Sequence, residues 1–378
     1  MTAMRTVLIT DVRYRTAMAV IRPLKRAGYR ILAVQASAEA PLDPPAFVCR
    51  SVDECVRLDG SVHDAAYADR LLALCRAQTE RPALFPIGAD TLSAVAARRA
   101  EFQAVCDFLV ADPEILDSAN DKRVVARAAL ACGVPIPREF DVANGERPVF
   151  PVILKPRCGE KLGLHAEQRY AVARNAAEFD AAWARMSALD PQCLVQELVE
   201  GPGCGVCLVM DAESRPVSVF CHRRIREYPI TGGPSACCES LYDEKMVAQA
   251  VSLLQALHFV GIAMVEFKGG RVLEINPRVW GSYPLTEAAG SRFAEDYIRA
   301  ASGAVFAQPD AAYRRGQRMR FVLNDTLSVL AHLKKGHLRV AASGLADLFR
   351  AKEALFRFRD QRPFWRYLHQ TLRKGTRA

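Results

Sequence analysis

Residues 261–282, with the sequence GIAMVEFKGGRVLEINPRVWGS, decide the fold of this chain. Two runs with strand character flank a glycine-containing stretch at 268–270, which predicts two antiparallel strands joined by a tight turn. Because successive side chains of a strand point to opposite faces, Glu274 and Asn276 share one face of the second strand.

The length of the turn decides on which face Glu266 lies. A three-residue turn at 268–270 places Glu266 on the face of Glu274 and Asn276, whereas a two-residue turn at 269–270 places it on the opposite, apolar face. We expect the three-residue turn, since turns of this length with a left-handed glycine are common. The alternative interpretation of this face is an exposed sheet surface that carries ordinary acids.

Glu266, Glu274 and Asn276 would together form a site of hard oxygen ligands. Mg²⁺ usually takes one or two protein carboxylates and completes its shell with water and nucleotide phosphates, and Mn²⁺ accepts the same oxygen ligands. Arg278 follows Asn276 by two residues and adds a cation at the same place. The sequence therefore predicts a site for Mg²⁺ or Mn²⁺ beside a positive charge.

The composition is that of a globular protein with two or three packed units. The chain has 378 residues, of which 51% are hydrophobic and 25% are charged. It has no apolar run of the roughly 20 residues that a membrane-spanning helix needs. The first ten residues lack a signal-peptide pattern, so we expect a cytoplasmic location. Of the twelve cysteines, Cys204 and Cys207 form a CxxC pair, but they begin a strand-like run, so we expect no zinc site there.

The formal net charge of +9 is concentrated toward the C-terminus. Residues 339–378 contain ten Arg or Lys and three acids, and aromatic and basic residues alternate around 356–367. We expect this stretch to pack on the body of the protein as an amphipathic helix, with contact to an anionic membrane as the alternative. We expect no nucleic-acid partner, because no aromatic stacking platform accompanies the charge.

Strand and helix patterns divide the chain into three regions. Residues 1–112 alternate strand and helix signals, which predicts a Rossmann-like parallel sheet; strands are expected at 7–10, 31–34, 83–86 and 108–110. No GxGxxG follows the first strand, so a dinucleotide site is not expected. Residues 113–305 carry most of the motifs, and residues 306–378 are predicted to be helical and basic.

The hairpin resembles the metal-binding strand of the ATP-grasp superfamily. LEINPR follows an upstream glutamate, and VLEINPRVWGS is similar to the carbamoyl-phosphate-synthase-like branch. Four further motifs stand in the family's order: Asp121-Lys122, PVILKP at 151–156, RCGEKLG at 157–163 and VQELVEG at 195–201. The resemblance covers residues 1–305 and implies an α/β protein with an ATP-grasp fold, a Rossmann-like N-terminal domain (1–112), a nucleotide-binding and catalytic domain (113–305) and a helical basic C-terminal tail (306–378).

The resemblance also implies which residues bind the nucleotide. The lysines would contact phosphates, the glycines would let the backbone approach them, the hinge would hold adenine through main-chain groups, and Glu200 would hold the ribose. The residues concerned are Lys122, Lys155, Gly159, Lys161, Gly163, Glu197, Val199 and Glu200. Two departures stand out, because Lys161 and Leu162 replace the usual Ser or Thr of the loop and Gly203 or Cys204 replaces the usual ribose glutamate.

Residues 222–235 are the expected substrate segment. Arg224 and Arg226 are predicted to share a strand face, which suits an anionic substrate, although a solvated basic strand is an equal alternative. The predicted substrate residues are Arg224, Arg226, Gly232, Ser235 and Arg278.

The resemblance implies an ATP-dependent ligase that activates a small-molecule carboxylate as an acyl phosphate, with release of ADP, for attack by an amine. Lys155 and Arg278 are the expected catalytic residues, ATP and Mg²⁺ the expected cofactors, and a homodimer the expected assembly if there is one. The alternative is a non-catalytic protein that binds ATP as a regulatory ligand. The co-occurrence of two glutamates, an asparagine and an arginine at one place favours the enzyme.

Overall fold

The structure is a computed structural model, and it describes residues 5–159, 169–230 and 232–375. Over this part of the chain the strands form three sheets of four, three and seven strands. Within the same residues, no helix is long and apolar enough to cross a lipid bilayer.

The N-terminal part is built on a parallel sheet of four strands. They are Thr6–Ile9 (β1), Arg30–Ala36 (β2), Glu54–Leu58 (β3) and Ala83–Phe85 (β4). The helices are Ala17–Arg26 (α1), Tyr67–Arg76 (α2), Ala89–Ala97 (α3) and Arg99–Val105 (α4), with a 3-10 turn at Pro45–Val48. The order in space is β3-β2-β1-β4, and β1 and β4 are fully buried. The predicted alternation of strands and helices is therefore confirmed.

Two strand predictions for this part differ from the structure. β3 was not expected, because its sequence is mostly polar and its side chains are largely exposed at the sheet edge. The strand expected at 108–110 is absent, and only Asp107 makes a parallel bridge, to Ala83. The hydroxyl of Tyr297 lies between the segments at Leu84 and Leu109 instead. It accepts from the Leu109 amide at 3.0 Å and lies 3.2 Å from the Leu84 carbonyl oxygen.

A small lobe follows the N-terminal part. Two helices, Pro113–Asn120 (α5) and Lys122–Ala131 (α6), lead into it and bury Leu116, Ala119, Val125 and Ala129 in the main core. The elements of the lobe are Val152–Lys155 (β5), Ala171–Ala173 (β6), Ala176–Leu189 (α7) and Leu194–Glu197 (β7), with a 3-10 turn at Val142–Asn144. The three strands pair antiparallel in the order β6-β5-β7. Val152, Leu154, Phe179 and Met186 belong to a core that is separate from the main one. The lobe therefore carries its own hydrophobic cluster.

The largest sheet holds the motif hairpin near one edge. Its first five strands are Gly203–Met210 (β8), Pro216–Glu227 (β9), Ser235–Leu241 (β10), Gly261–Lys268 (β11) and Arg271–Asn276 (β12). The helices of this region are Glu244–Ala256 (α8), Pro284–Ala289 (α9) and Phe293–Ala301 (α10). The order β12-β11-β8-β9-β10 is antiparallel throughout; β8, β9 and β10 follow one another as hairpins, and the β11–β12 hairpin returns after α8 to pair with β8.

The C-terminal region adds two strands to this sheet as well as helices. Its elements are Arg318–Arg320 (β13), Val322–Lys334 (α11), Leu338–Arg350 (α12), Ala351–Glu353 (β14) and Arg362–Gly375 (α13). β13 pairs with β10 and β14 pairs parallel with β13, so the sheet continues beyond residue 305. The sequence pattern predicted only helices here, because a three-residue strand is too short to show a period. α13 packs on the N-terminal part through Phe364 and Tyr367, as expected for an amphipathic helix.

Candidate active site

The β11–β12 hairpin brings Glu266 and Glu274 directly opposite each other. Residues that face each other in an antiparallel pair lie on the same side of the sheet, so the two carboxylates share one face. Asn276 lies two residues further on the same face, and its amide nitrogen donates to Oε1 of Glu274 at 3.4 Å. The predicted shared face of these three residues is therefore present.

The turn that produces this register differs from the prediction. Gly269 and Gly270 form a two-residue turn, both with positive φ (+53° and +76°), which is the pattern of a type I′ hairpin. Glu266 nevertheless faces Glu274, because Leu273 is an extra residue in a bulge between the pairs Glu266–Glu274 and Phe267–Val272. The prediction of a three-residue turn was wrong. The extra residue in the bulge changes the register by one residue and so places Glu266 on the face of Glu274, as the longer turn would have done.

Two lysines from elements that precede the large sheet in the chain lie against these carboxylates. Lys122 begins α6, and its Nζ lies 3.2 Å from Oε2 of Glu274. Asp121 holds this end of the helix by accepting from the amide of Arg123 at 2.9 Å and from Nε of Arg157 at 2.7 Å. The Asp121-Lys122 motif therefore places one charge in the site and uses the other as a helix cap.

Lys155, the last residue of β5, is buried at the same junction. The pKa of Lys155 is lowered to about 8, chiefly by burial; Lys122 acts in the same direction, and Glu274 and Glu266 act in the opposite direction. Burial alone would raise the pKa of Glu274, but Lys122 and Lys155 outweigh it and lower the pKa to about 2. The two lysines and the two glutamates therefore form one electrostatic cluster.

Glu266 has a further basic partner on the neighbouring strand β9. Nη2 of Arg224 lies 2.7 Å from Oε1 of Glu266, and Nη1 lies 3.7 Å from Glu227. Burial raises the pKa of Glu266; Arg224 opposes this shift, and Glu274 adds to it. Arg224 is thus at the edge of the cluster, on the side of the predicted substrate segment.

Arg226 does not accompany Arg224, and its predicted substrate role is wrong. Arg226 pairs with Cys237 and Arg224 with Cys238, so a bulge at Ile225 turns the two arginines to opposite faces of the sheet. The side chain of Arg226 is fully buried and bonds Asp325 at 2.7 Å and Asp347 at 2.8 Å. It anchors the C-terminal helices and is closed off from any substrate in the site.

The segment that carries Arg278 is tied to the sheet by a buried histidine. Nε2 of His222 and Oγ of Ser282 are 2.9 Å apart, and Gly205 leaves the space that the imidazole fills. Burial, with a contribution from Arg224, lowers the pKa of His222 to about 3, so the ring is neutral. Arg278 is half-buried, and its Nη1 donates to the carbonyl of Val279 at 3.2 Å.

The predicted hinge lies against the glycine turn of the hairpin. A Cβ on Gly269 would lie 2.8 Å from the carbonyl oxygen of Glu200 and 2.9 Å from a methyl of Val199. Val199 is buried and Glu200 is exposed. The carboxylate of Glu197 accepts from the amide of Arg138 at 3.0 Å and pairs with Arg271 at 3.2 Å, so it acts within the protein.

A broad cleft of about 1300 Å³ opens beside the hinge. Leu198, Val199, Glu200 and Lys268 line one side of it, and Glu227 and Gly232 line another. Glu227, which pairs with Arg224, connects this cleft to the carboxylate cluster.

The remaining predicted residues fall at the rim of the cleft or outside the described chain. Gly159 lies in the turn after β5, where a Cβ would be in ordinary contact with the Pro156 ring at 3.9 Å. Gly232 has φ of +130°, and its carbonyl accepts from the Tyr170 hydroxyl at 2.8 Å. Ser235 is buried opposite Glu227 at the start of β10. Lys161 and Gly163 lie outside the described residues.

Sequence reasoning missed several residues around this site. Tyr170 links the small lobe to the β9–β10 connection, and Glu227 and His222 support Arg224 and the Arg278 segment. Tyr170 belongs to no motif, whereas Glu227 lies within the substrate segment 222–235 but was not singled out. His222 stands in the segment that was singled out for its arginines, and its alternation with Arg224 along β9 was the available signal.

The oxygen ligands fit a magnesium ion that is completed by other ligands. Among residues 5–159, 169–230 and 232–375, no group of three or more His, Cys, Asp or Glu is arranged to hold a metal. Glu266 and Glu274 provide two carboxylates on one face, and Asn276 an amide oxygen. Mg²⁺ requires no more than this from a protein when phosphates and water fill the other positions. A divalent cation would also offset the repulsion by which Glu274 raises the pKa of Glu266.

Comparison with known proteins gives a domain match over part of the chain and a fold. A model of the ATP-grasp domain matches residues 119–282, while no curated protein matches the chain. The biotin carboxylase domain of 2-oxoglutarate carboxylase from Hydrogenobacter thermophilus, in complex with MgADP, ADP and bicarbonate, is similar in structure, with a TM-score of 0.62 and 15% identity over 84% of this chain and 74% of that chain. Biotin carboxylase from Campylobacter jejuni gives a TM-score of 0.60 and 15% identity over 84% and 74%.

The L-amino acid ligase from Bacillus licheniformis is also similar, with a TM-score of 0.55 and 16% identity over 80% of this chain and 75% of that chain. At such identities the likeness shows a shared fold. The family model covers the small lobe and the motif hairpin, where the lysines and glutamates meet. Residues 119–282 therefore match an ATP-grasp domain, and the chain shares the fold of these structures.

Proposed function

We propose that the chain is an ATP-dependent ligase that activates a substrate carboxylate as an acyl phosphate and transfers the acyl group to an amine. One observation carries this proposal: two lysines lie beside two glutamates that face each other across the β11–β12 hairpin. The residues are Lys122, Lys155, Glu266 and Glu274. A site that transfers a phosphoryl group needs cations for the phosphates and oxygen ligands for magnesium, and both are present here.

We assign each side chain a proposed role that is compatible with its position. Glu266, Glu274 and Asn276 would hold Mg²⁺, which neutralises charge on the nucleotide phosphates when it is bound. Lys122 and Lys155 would then exchange their carboxylate contacts for phosphate oxygens. The hinge at 197–200, including Glu197, Val199 and Glu200, would hold adenine and ribose beside the cleft.

The reaction would proceed in two balanced steps. An oxygen of the substrate carboxylate attacks the γ-phosphorus of ATP, the bond to the bridging oxygen breaks, and ADP leaves. The amine then attacks the acyl carbon, inorganic phosphate leaves with the C–O bond electrons, and the amine loses a proton. Arg278 would stabilise the charge on the acceptor side, and Arg224 with the segment at 232–235 would orient the acid.

The related structures support ATP use and leave the substrate open. One neighbour is a complex with MgADP and bicarbonate, and another is an L-amino acid ligase. We carry over the use of ATP and magnesium from these names, and we include bicarbonate among the acids to be tested. A homodimer and a cytoplasmic location remain predictions.

The experiment is a screen of carboxylate and amine pairs for stimulated release of ADP, with mass spectrometry of the products. Hydroxylamine should trap a hydroxamate from the activated acid. Glu274→Gln should abolish Mg²⁺-dependent turnover. Glu239→Gln, which changes a carboxylate on the other face of the same sheet, should retain turnover.

Two outcomes would contradict the proposal. Release of AMP and pyrophosphate would mean adenylate chemistry. ATP binding without turnover for any pair, with equal affinity in wild type and Glu274→Gln, would favour the regulatory ATP-binding alternative.

A further inference from the structure

The helices α11 and α12, residues 322–350, form a pair that we call the C-terminal hairpin. Its inner face is fixed to the large sheet, because Asp325, Ser328 and Asp347 are fully buried there. The two helices pack closely, since a Cβ on Gly344 would lie 2.2 Å from a methyl of Val329. The hairpin is therefore a rigid attachment whose other face is open to solvent.

The outer face of the C-terminal hairpin is apolar. Phe349 is 92% exposed, Leu338 65% and Leu345 62%, and these three residues follow one helical stripe with spacings of seven and four. The exposed large apolar residues of the hairpin are Leu327, Leu330, Leu333, Leu338, Leu345, Leu348 and Phe349. An apolar surface of this density marks a contact site in a folded protein.

The charge of the hairpin is divided between its two faces. Its two acids, Asp325 and Asp347, are both buried in ion pairs with arginines of the sheet. Its basic residues Lys334, Lys335, Arg339 and Arg350 are all exposed. The outward charge of residues 322–350 is therefore entirely positive around an apolar centre.

We infer that the C-terminal hairpin docks on an anionic lipid bilayer. An interfacial helix inserts apolar side chains among the lipid chains while Lys and Arg contact anionic headgroups, which is the distribution seen here. Docking against a second copy of the same face would bring its basic residues together without an exposed acid to pair them. Charge complementarity therefore favours the lipid surface over self-association.

Vesicle co-sedimentation of the full chain tests this inference. Binding to vesicles of phosphatidylcholine with phosphatidylglycerol should exceed binding to pure phosphatidylcholine, and it should weaken as sodium chloride is raised. Leu345→Ser with Phe349→Ser should weaken binding at least tenfold, because both side chains are exposed and insert directly. Arg339→Glu with Arg350→Glu should weaken it by about tenfold or more. Lys335 is left unchanged, since it also lines the cleft.

Matched variants elsewhere on the surface control for general effects. Leu130→Ser with Val305→Ser removes two apolar side chains that are 61% and 81% exposed, and Arg76→Glu with Arg147→Glu makes the same change of charge. Both controls should bind vesicles as the unchanged chain does. Equal losses in control and hairpin variants, or no preference for the anionic vesicles, would overturn the inference. So would a dimer, measured by light scattering, that the Leu345 and Phe349 changes dissolve while vesicles are not bound.

Discussion

At the scale of single residues, the protonation of Lys155 should control nucleotide affinity. Burial lowers the pKa of this amine to about 8, so it is charged below that pH and becomes neutral as the pH rises through it. Phosphate oxygens attract only the charged form, and hydrogen bonds to charged groups contribute about 1.5–3 kcal/mol. We expect Lys155→Met to weaken ATP binding by roughly tenfold to a hundredfold and to remove the loss of affinity above pH 8.

Isothermal titration with a non-hydrolysable ATP analogue, on both sides of this pH, measures the effect. Lys245→Met, at an exposed lysine of α8, is the matched control and should bind as the unchanged chain does. Unaltered affinity in Lys155→Met would remove Lys155 from the nucleotide site.

Arg278 should matter for turnover more than for nucleotide binding. Pro277 restricts the backbone before it, and the neutral His222 ties the following segment to β9 through Ser282. A guanidinium can hold two oxygens of the transferring group at once, which an ammonium cannot do. We expect Arg278→Lys to retain ATP affinity and to lower kcat by about 10²-fold.

Steady-state kinetics together with titration of the analogue check this prediction. Arg271→Lys makes the same change at the start of β12, where the arginine pairs with Glu197, and should keep most of kcat. A proportional loss of ATP affinity in Arg278→Lys would place Arg278 on the nucleotide rather than on the acceptor.

At the scale of elements, the glycine turn of the β11–β12 hairpin couples the metal site to the hinge. Gly269 and Gly270 both have positive φ, so alanine strains the backbone at either position, by about 1 kcal/mol. Only Gly269 touches the hinge, because a Cβ there would collide with the Glu200 carbonyl, whereas Gly270 faces open space. Gly269→Ala should therefore weaken binding of the ATP analogue at least fivefold more than Gly270→Ala. Equal effects in titration of the two variants would separate the turn from adenine binding.

The anchor of the C-terminal hairpin should behave as a structural cluster. Removing Arg226 takes away the buried cation that Asp325 and Asp347 share and leaves them with Arg320 and Arg318, so Arg226→Met should cost about 3 kcal/mol in urea unfolding. Burial would raise the pKa of Asp347, but hydrogen bonds from Arg318 and Arg226 outweigh it and lower the pKa. The contribution of Asp347 is therefore present above its ordinary pKa of 3.8 and is lost as the pH falls through the lowered value.

Arg224→Met is the matched comparison for this anchor, because Arg224 faces the site. It should raise KM for the acid with a smaller loss of stability than Arg226→Met. A similar KM effect in a folded Arg226→Met would restore Arg226 to the substrate site.

The sequence predicted the site residues better than their exact register. Alternation along β12 was sufficient to place Glu274 and Asn276 on one face, and the motif order was sufficient for the fold. Bulges at Leu273 and Ile225 were not predictable, since an inserted residue leaves no periodic signal. The bulge at Leu273 places Glu266 on the sheet face that was predicted for it. The bulge at Ile225 turns Arg226 to the face opposite the predicted one.

At the scale of the whole molecule, long-range pairing was the part that local patterns could not supply. The buried acids Asp325 and Asp347 look like ordinary helix residues in the sequence, and only the fold brings them to Arg226. β13 and β14 join the large sheet after a helix-rich interval, so their pairing depends on tertiary contacts alone. The assignment of domains at 1–112, 113–305 and 306–378 remains a prediction.

The separate core of the small lobe predicts how the molecule responds to nucleotide. Phe140, Val152 and Met186 belong to this small cluster, while the large sheet shares its core with the N-terminal part. The contacts between lobe and body include polar ones, such as the hydrogen bond from the Tyr170 hydroxyl to the carbonyl of Gly232. An element with little buried apolar contact to the rest opens at a lower free energy than the main core.

Hydrogen exchange should therefore be faster in β5 to β7 than in β8 to β11 when no nucleotide is bound. Binding of an ATP analogue with Mg²⁺ stabilises whichever form holds it, by about 2.7 kcal/mol when the ligand is a hundred times its Kd, so exchange that requires opening of the lobe should slow about a hundredfold. The hinge at 197–200 should gain protection with the lobe, because it lies between the two parts.

The C-terminal hairpin is held by its own buried ion pairs and should change little, which makes it the internal control. Mass spectrometry of peptides from these segments measures all of them in one experiment. If protection rises equally in the C-terminal hairpin and in the small lobe, the nucleotide stabilises the molecule as one unit. If protection in the lobe does not change, the nucleotide binds outside the junction of Lys155 and Glu274.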